Sequence, residues 1–215
     1  MATVPAETLA ATALCTDDDV RAYLGIKPDD LSDDDLNTII RLCNAASETY
    51  TTESQRIWKL DPDLGTVRKY RMDSFDISSG RVRIDDCTLV NSVAVGDYRT
   101  QLDPIPVDPA GDGPTSWYAW QDEPDQPITA IVFSANWTFN TLVPQVATVD
   151  AEWGWPKVPQ SVRQDVIVTA AEWFARDVEK FSATFSLDQG RVILPQVLPS
   201  QVQRNAENWR RWRVA

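Results

Sequence analysis

An α+β fold is predicted for this 215-residue chain: a helical core of about four helices carrying an inserted antiparallel β-sheet or barrel-like module. Three observations predict it. Apolar residues recur at helical spacing towards both ends of the chain. Between those regions apolar and polar residues alternate, the period of half-buried strands. The join is sharp: the aromatic run Asp150-Ala-Glu-Trp-Gly-Trp155 breaks at Gly154 and Pro156, and Val158-Pro159 opens a new helical pattern. Proline in a first helical turn loses no hydrogen bond, because that N–H has no partner within the helix. These changes of period divide the chain into residues 1–64 (N-terminal helices), 65–156 (inserted β module), 157–190 (a long helix completing the helical core) and 191–215 (a C-terminal arm or helix).

The first zone is helical and acidic. Thr16-Asp-Asp-Asp19 has the form of a capping box, with a hydroxyl at the cap and a carboxylate three residues on. It opens a short helix through Val20, Tyr23 and Leu24 that stops at Gly25. Ser32-Asp-Asp-Asp35 repeats the device before a longer helix. There Leu36, Ile39, Ile40, Cys43, Ala46, Ser47 and Tyr50 share one face. Carboxylates at helix N-termini complement the helix dipole, so capping accounts for both Asp triplets. A calcium loop would need alternating ligands, a glycine and a closing glutamate.

In the second zone strands are expected over residues 67–72, 80–84, 89–95, 128–133 and 145–153. Residues 102–114, Leu-Asp-Pro-Ile-Pro-Val-Asp-Pro-Ala-Gly-Asp-Gly-Pro, read as an exposed loop rather than regular structure. Trp117, Tyr118 and Trp120 are expected in the core or at the edge of the module. In the third zone Val162, Val166, Ile167, Ala170, Trp173, Phe174, Val178 and Phe181 form a wide apolar face, expected to pack on the Leu36 to Tyr50 helix. Gly190, Pro195 and Pro199 interrupt the chain before a basic, aromatic end containing Val202, Arg204, Trp209, Arg210, Arg211, Trp212 and Arg213.

Composition narrows the function. The formal net charge of −12 argues against general duplex binding, which needs clustered Lys and Arg to displace counterions. No apolar run approaches the length of a membrane span, and residues 1–12 lack the pattern of a signal peptide. A soluble protein made in the cytoplasm is therefore expected. Cys15, Cys43 and Cys87 have no zinc-site spacing and read as buried free thiols. The chain has no histidine, which removes Ser-His-Asp, Cys-His and His-metal designs. No phosphate-binding glycine loop occurs. No catalytic residue, metal ligand or cofactor is assigned. A paired-carboxylate glycosidase or carbohydrate-binding module built on Glu152, Trp153 and Trp155 is the alternative from another class, although no second carboxylate is identifiable as a partner.

Nine tryptophans point to large buried contacts or subunit interfaces, for which Trp153, Trp155, Trp173, Phe174 and Phe181 are the candidates. The C-terminal Arg/Trp segment has three readings. Docking to a protein partner is preferred. The others are a helix end carrying cations and a nucleic-acid stacking arm. Few apolar anchors follow Gly190, so this arm is expected to lack order before docking.

Several motifs occur in a telling order. Thr16-Asp-Asp-Asp-Val-Arg-Ala-Tyr-Leu-Gly25 precedes Asp34-Asp-Leu-Asn-Thr-Ile-Ile-Arg-Leu-Cys-Asn-Ala-Ala46. Val90 to Gly96, Trp117-Tyr-Ala-Trp120 and Pro127-Ile-Thr-Ala-Ile-Val132 follow, and then the Trp153-Gly-Trp155 and Val158-Pro159 junction. Together they resemble the head-to-tail connector (adaptor) proteins of tailed bacteriophages. The resemblance implies a homo-oligomeric ring, usually twelve-fold, in the virion neck beneath the portal protein. Such a ring extends the DNA channel and meets a stopper or tail-completion protein on its far face. Genomic DNA would pass through without sequence-specific binding. The resemblance gives portal docking to Val202 through Arg213. Asp17, Asp18, Asp19, Asp33, Asp34 and Asp35 become candidates for an acidic lumen. The loop at 102–114 departs from compact members of the family. A stopper or tail-completion subunit is the alternative within the virion.

Overall fold

The computed structural model describes residues 7–60, 65–97, 105–106, 108–109, 116–134, 145–183 and 198–210. Contacts divide the chain into two units: residues 1–56 with 158–215, and residues 57–157.

The first unit is helical. Helix α1 (Asp17–Leu24) and helix α2 (Asp33–Ser54) both begin in complete capping boxes. The Thr16 and Ser32 hydroxyls each accept the backbone N–H three residues on, and Asp19 and Asp35 accept the cap N–H groups in return. Gly25 ends α1 at φ 70°, a left-handed conformation in which a Cβ is costly. A 3-10 turn (Pro28–Asp30) links the two helices. The stripe on α2 buries Ile39, Cys43, Ala46, Ser47 and Tyr50. Helix α4 (Gln160–Ala183) packs against α2 and α1 and buries Val162, Val166, Ala170, Trp173 and Phe174, as its periodicity predicts. The chain segment before α1 is laced along α2 by side-chain bonds. Asn37 accepts from Glu7 N–H at 3.0 Å, Asn44 from Ala10 N–H at 2.9 Å and Ser47 from Leu14 N–H at 2.9 Å.

The second unit is a seven-stranded sheet with the short helix α3 (Ser74–Ser79) beside the strands Val67–Met72 and Arg81–Asp97. Its strands are β1 (Val67–Met72), β2 (Arg81–Asp97), β3 (Ile105–Pro106), β4 (Asp108–Pro109), β5 (Ser116–Gln121), β6 (Ile128–Phe133) and β7 (Gln145–Trp153). The order is β1-β7-β2-β6-β5-β4, with β3 on β2, and all pairings are antiparallel except β4 with β5. The alternation on β7 is nearly unbroken, and Ala147, Val149, Ala151 and Trp153 join Val82, Ile84, Val93, Ile131 and Phe133 in the core.

Two expectations are corrected here. The segments 80–84 and 89–95 are one 17-residue strand, β2, rather than two. Asp85 and Asp86 do not break it because each has partners: Arg68 and Tyr70 bond Asp85, and the Trp155 indole bonds Asp86. Register shifts between Arg83 and Cys87, Cys87 and Leu89, and Val90 and Ser92 absorb the irregular spacing. Part of the 102–114 loop is strand. Ile105–Pro106 and Asp108–Pro109 pair at sheet margins, where a proline need not donate to the ladder. The rest of that loop lies outside the described residues.

Candidate functional site

The C-terminal segment is helical over α5 (Ser200–Trp209), contrary to the expected lack of order. Two apolar residues one turn apart suffice to dock it: Val202 and Ala206 are buried, and α5 packs on α2 and α4. Polar ties add to this. The Asn205 amide donates to Asp165 at 2.9 Å, and the Arg56 Nε donates to the Trp209 carbonyl at 2.5 Å. Val202, one of the residues assigned to portal docking, is therefore an anchor within the helical unit. Arg204 is exposed, whereas Trp209 and Arg210 are half-buried. Arg211, Trp212 and Arg213 lie outside the described residues.

The aromatic candidates are buried within the single chain. Trp153 is 2% exposed and Trp155 8%. The Trp153 indole donates to the Thr66 carbonyl at 2.6 Å, with the Arg68 guanidinium 4.6 Å from the ring centre. Trp155 leans on Trp58 at 4.9 Å between centroids and donates to Asp86 at 3.2 Å. Neither ring offers an open face beside the exposed Glu152, which removes the aromatic cleft that a sugar site there would need. Trp173 and Phe174 are buried on α4, and the Phe181 side chain lies outside the described residues.

The acidic candidates separate by partner. Asp17 and Asp18 both bond Arg21, and Asp19 takes the Arg163 guanidinium at 2.8 Å on each carboxylate oxygen. Burial alone would raise the Asp19 carboxyl. The bonds from Arg163 and Thr16 outweigh it and hold the group below the usual carboxylate range. Asp35 is occupied by its cap, whereas Asp33 and Asp34 are exposed and form no ion pair among the described residues. The triplets therefore serve as helix starts, and among the described residues the Asp33 and Asp34 carboxylates take no cation.

Folding also assembles groups that spacing along the chain did not reveal. The Cys15 and Cys43 thiols are buried, and the neighbouring Cys15 thiol together with burial pushes the Cys43 thiol far up. Asp165 is buried where α2, α4 and α5 meet, taking the Tyr50 hydroxyl at 3.2 Å and the Asn205 amide. On the sheet, the register of β5, β6 and β2 sorts the Trp117-Tyr-Ala-Trp120 run into two faces. Trp117 lies beside Phe133, and Ala119 lies in line with Ile131 and Val82, on the core side. The opposite face carries Tyr118, Val132 and Arg81 in one row and Trp120, Ala130 and Arg83 in the next. Tyr118 is 48% exposed and Trp120 39%. The alternating aromatics were the signal, but only the pairing shows which of them face away from the core.

Among the described residues, no group of three or more His, Cys, Asp or Glu is placed to hold a metal ion, and no helix is long and apolar enough to cross a membrane. No family model and no curated protein matches the chain. Two solved structures are similar over its whole length. One is from the virion of a native gene transfer agent particle, with 16% identity, 95% of that chain covered and a TM-score of 0.49. The other is from the neck of a native gene transfer agent particle computed with C12 symmetry, with 15% identity, 98% of that chain covered and a TM-score of 0.45.

Proposed function

We propose that the chain is a structural, non-enzymatic subunit of a tailed-phage neck, forming a ring between the portal and the stopper or tail-completion protein and extending the DNA channel. The observation that supports this reading most is the division of the chain. Both ends contribute helices to one unit, and residues 57–157 form a β unit inserted between them. That is the organisation implied by the connector resemblance of the motifs from Thr16 to Pro159. The absence of histidine and the burial of Trp153 and Trp155 agree with an assembly role rather than catalysis.

In this reading the chemistry is association. A head-to-tail contact whose rotation closes produces a ring with no unsatisfied interface. The basic end, from the exposed Arg204 onward, is the portal-facing element, and Val202 roots it in the helical unit. Excess negative charge repels the DNA backbone and lets the genome slide. Mass photometry of the purified protein, alone and with its cognate portal, tests the reading. A closed ring on the portal, weakened by Arg204→Glu or by removing residues 211–215, is the expected result. A protein that stays monomeric at every concentration and ignores the portal overturns it.

A further inference from the structure

The outer face of the β5, β6 and β2 strands carries features that the fold itself does not use. Tyr118 and Trp120 lie exposed on it, flanking Val132 and Ala130. The Arg81 guanidinium sits 5.1 Å from the Trp120 ring centre. Arg81 forms no ion pair among the described residues, and its Nε is buried without a hydrogen-bond partner. One guanidinium N–H removed from water without an acceptor is costly, and the rest of the group, half-buried, gains from a carboxylate at its open edge. Arg83 stands exposed one row along, and Asp76 of α3 is the acid whose field it enters. Asp122 is occupied by the Trp120 indole at 2.9 Å, and Asp85 by Arg68 and Tyr70.

We propose that this face is a docking surface for a second copy of the chain, with Arg81 and Arg83 taking its carboxylates while Tyr118 and Trp120 pack on its surface. The inference rests on the ring reading above and names one side of the subunit contact. Charge complementarity selects the occupant. The chain carries 32 Asp and Glu against 20 Lys and Arg, so two arginines beside exposed aromatics are a local exception that an identical, acidic neighbour satisfies. Asp33 and Asp34, exposed and without an ion pair among the described residues, are the carboxylates of the second copy to look for first. Aromatic and arginine side chains are also the residue types that dominate interface energetics.

The test compares wild type with Arg83→Glu and Tyr118→Ser by mass photometry over a concentration series, with thermal unfolding as the check that each variant folds. Tyr23→Ser, at an exposed aromatic of α1, serves as the control substitution. Half-assembly is expected to need about tenfold more protein or beyond for the two face variants, and unchanged protein for the control. In a mixture of ¹⁴N and ¹⁵N copies, the amine introduced by Arg83→Lys should form carbodiimide links to carboxylates of the other isotope. If wild type forms rings and both face variants form them equally well, the inference is overturned and the ring reading stands. If wild type forms no ring at any concentration or on the portal, both fall together. If a dT oligonucleotide quenches tryptophan emission in wild type but not in Arg83→Glu, the face is a nucleic-acid platform and the inference is overturned.

Discussion

Gly154→Ala should strongly destabilise the β unit. Gly154 has φ +138°, a conformation almost confined to glycine. A Cβ there would lie 2.7 Å from the Leu60 nitrogen, 2.8 Å from the Lys59 carbonyl carbon and 3.1 Å from the Lys59 oxygen. All three are backbone atoms, so no side chain can swing aside. Relief requires moving the 59–60 segment, which follows Trp58 and its contact with Trp155, or moving Gly154 itself. The latter donates its N–H to the Asp86 carbonyl at 2.8 Å and accepts the Thr88 hydroxyl at 3.1 Å. Backbone strain costs about 1–3 kcal/mol, and overpacking against an unyielding wall another 1–3 or so. Their sum is about 4 kcal/mol, a large fraction of the ~5–15 kcal/mol of a typical domain. With a urea dependence of about 2 kcal/mol per molar, the unfolding midpoint falls by roughly 2 M. The assay is urea unfolding followed by circular dichroism and tryptophan emission. Gly65→Ala is the matched control, because a Cβ there meets nothing within 4 Å, and it should stay within about 0.5 kcal/mol of wild type. A Gly154→Ala loss under about 1 kcal/mol, or one equal to the control, would refute the close-approach argument.

Further expectations concern the helical unit. Asp165→Ala removes an acceptor shared by Tyr50 and Asn205 and should cost about 3 kcal/mol in chemical unfolding. Burial raises the Asp165 carboxyl although the Asn205 and Tyr50 bonds oppose it. Its contribution is therefore fully present below the ordinary carboxylate value near 3.9 and is lost as pH climbs through the raised value. Asp165→Asn should flatten unfolding stability across that interval. Asp19 acts in the opposite sense. Its carboxyl is held low, so its contribution is present above its unfolded value and lost as pH falls through the folded one. Arg163→Gln should lessen this acid sensitivity in a pH series of melting curves. Thr16→Ala, which deletes the α1 cap, should cost about 1 kcal/mol. None of the three buried cysteines should react with a thiol reagent in the native protein within minutes, and all three should react in denaturant.

Much of this chain can be read locally, because the physics is local. Both capping boxes involve residues three apart, and the α2 stripe follows from 3.6 residues per turn. The alternation of β7 and the break at Gly154 are likewise visible in runs of fewer than ten residues. Joining 80–84 to 89–95 as one strand was not legible, because it depends on Arg68, Tyr70 and Trp155 arriving from elsewhere to satisfy Asp85 and Asp86. The same holds for α5, whose order rests on two small contacts with α2 and α4. Of the candidate site residues, the acidic caps were legible as caps and Trp153 and Trp155 as buried contacts or interface residues, but their burial within the single chain and the burial of Val202 were not. The sequence alone places Trp117, Tyr118 and Trp120 together in the core or at the edge of the module; strand alternation separates Tyr118 and Trp120 from Trp117 but does not say which face is covered. That depends on the strand order β2-β6-β5 and its register, which brings Arg81 and Arg83 into rows with the two aromatics across some forty residues of chain. Side-chain alternation is a property of one strand, whereas a surface is made by neighbours, and neighbours are chosen only when the whole core packs.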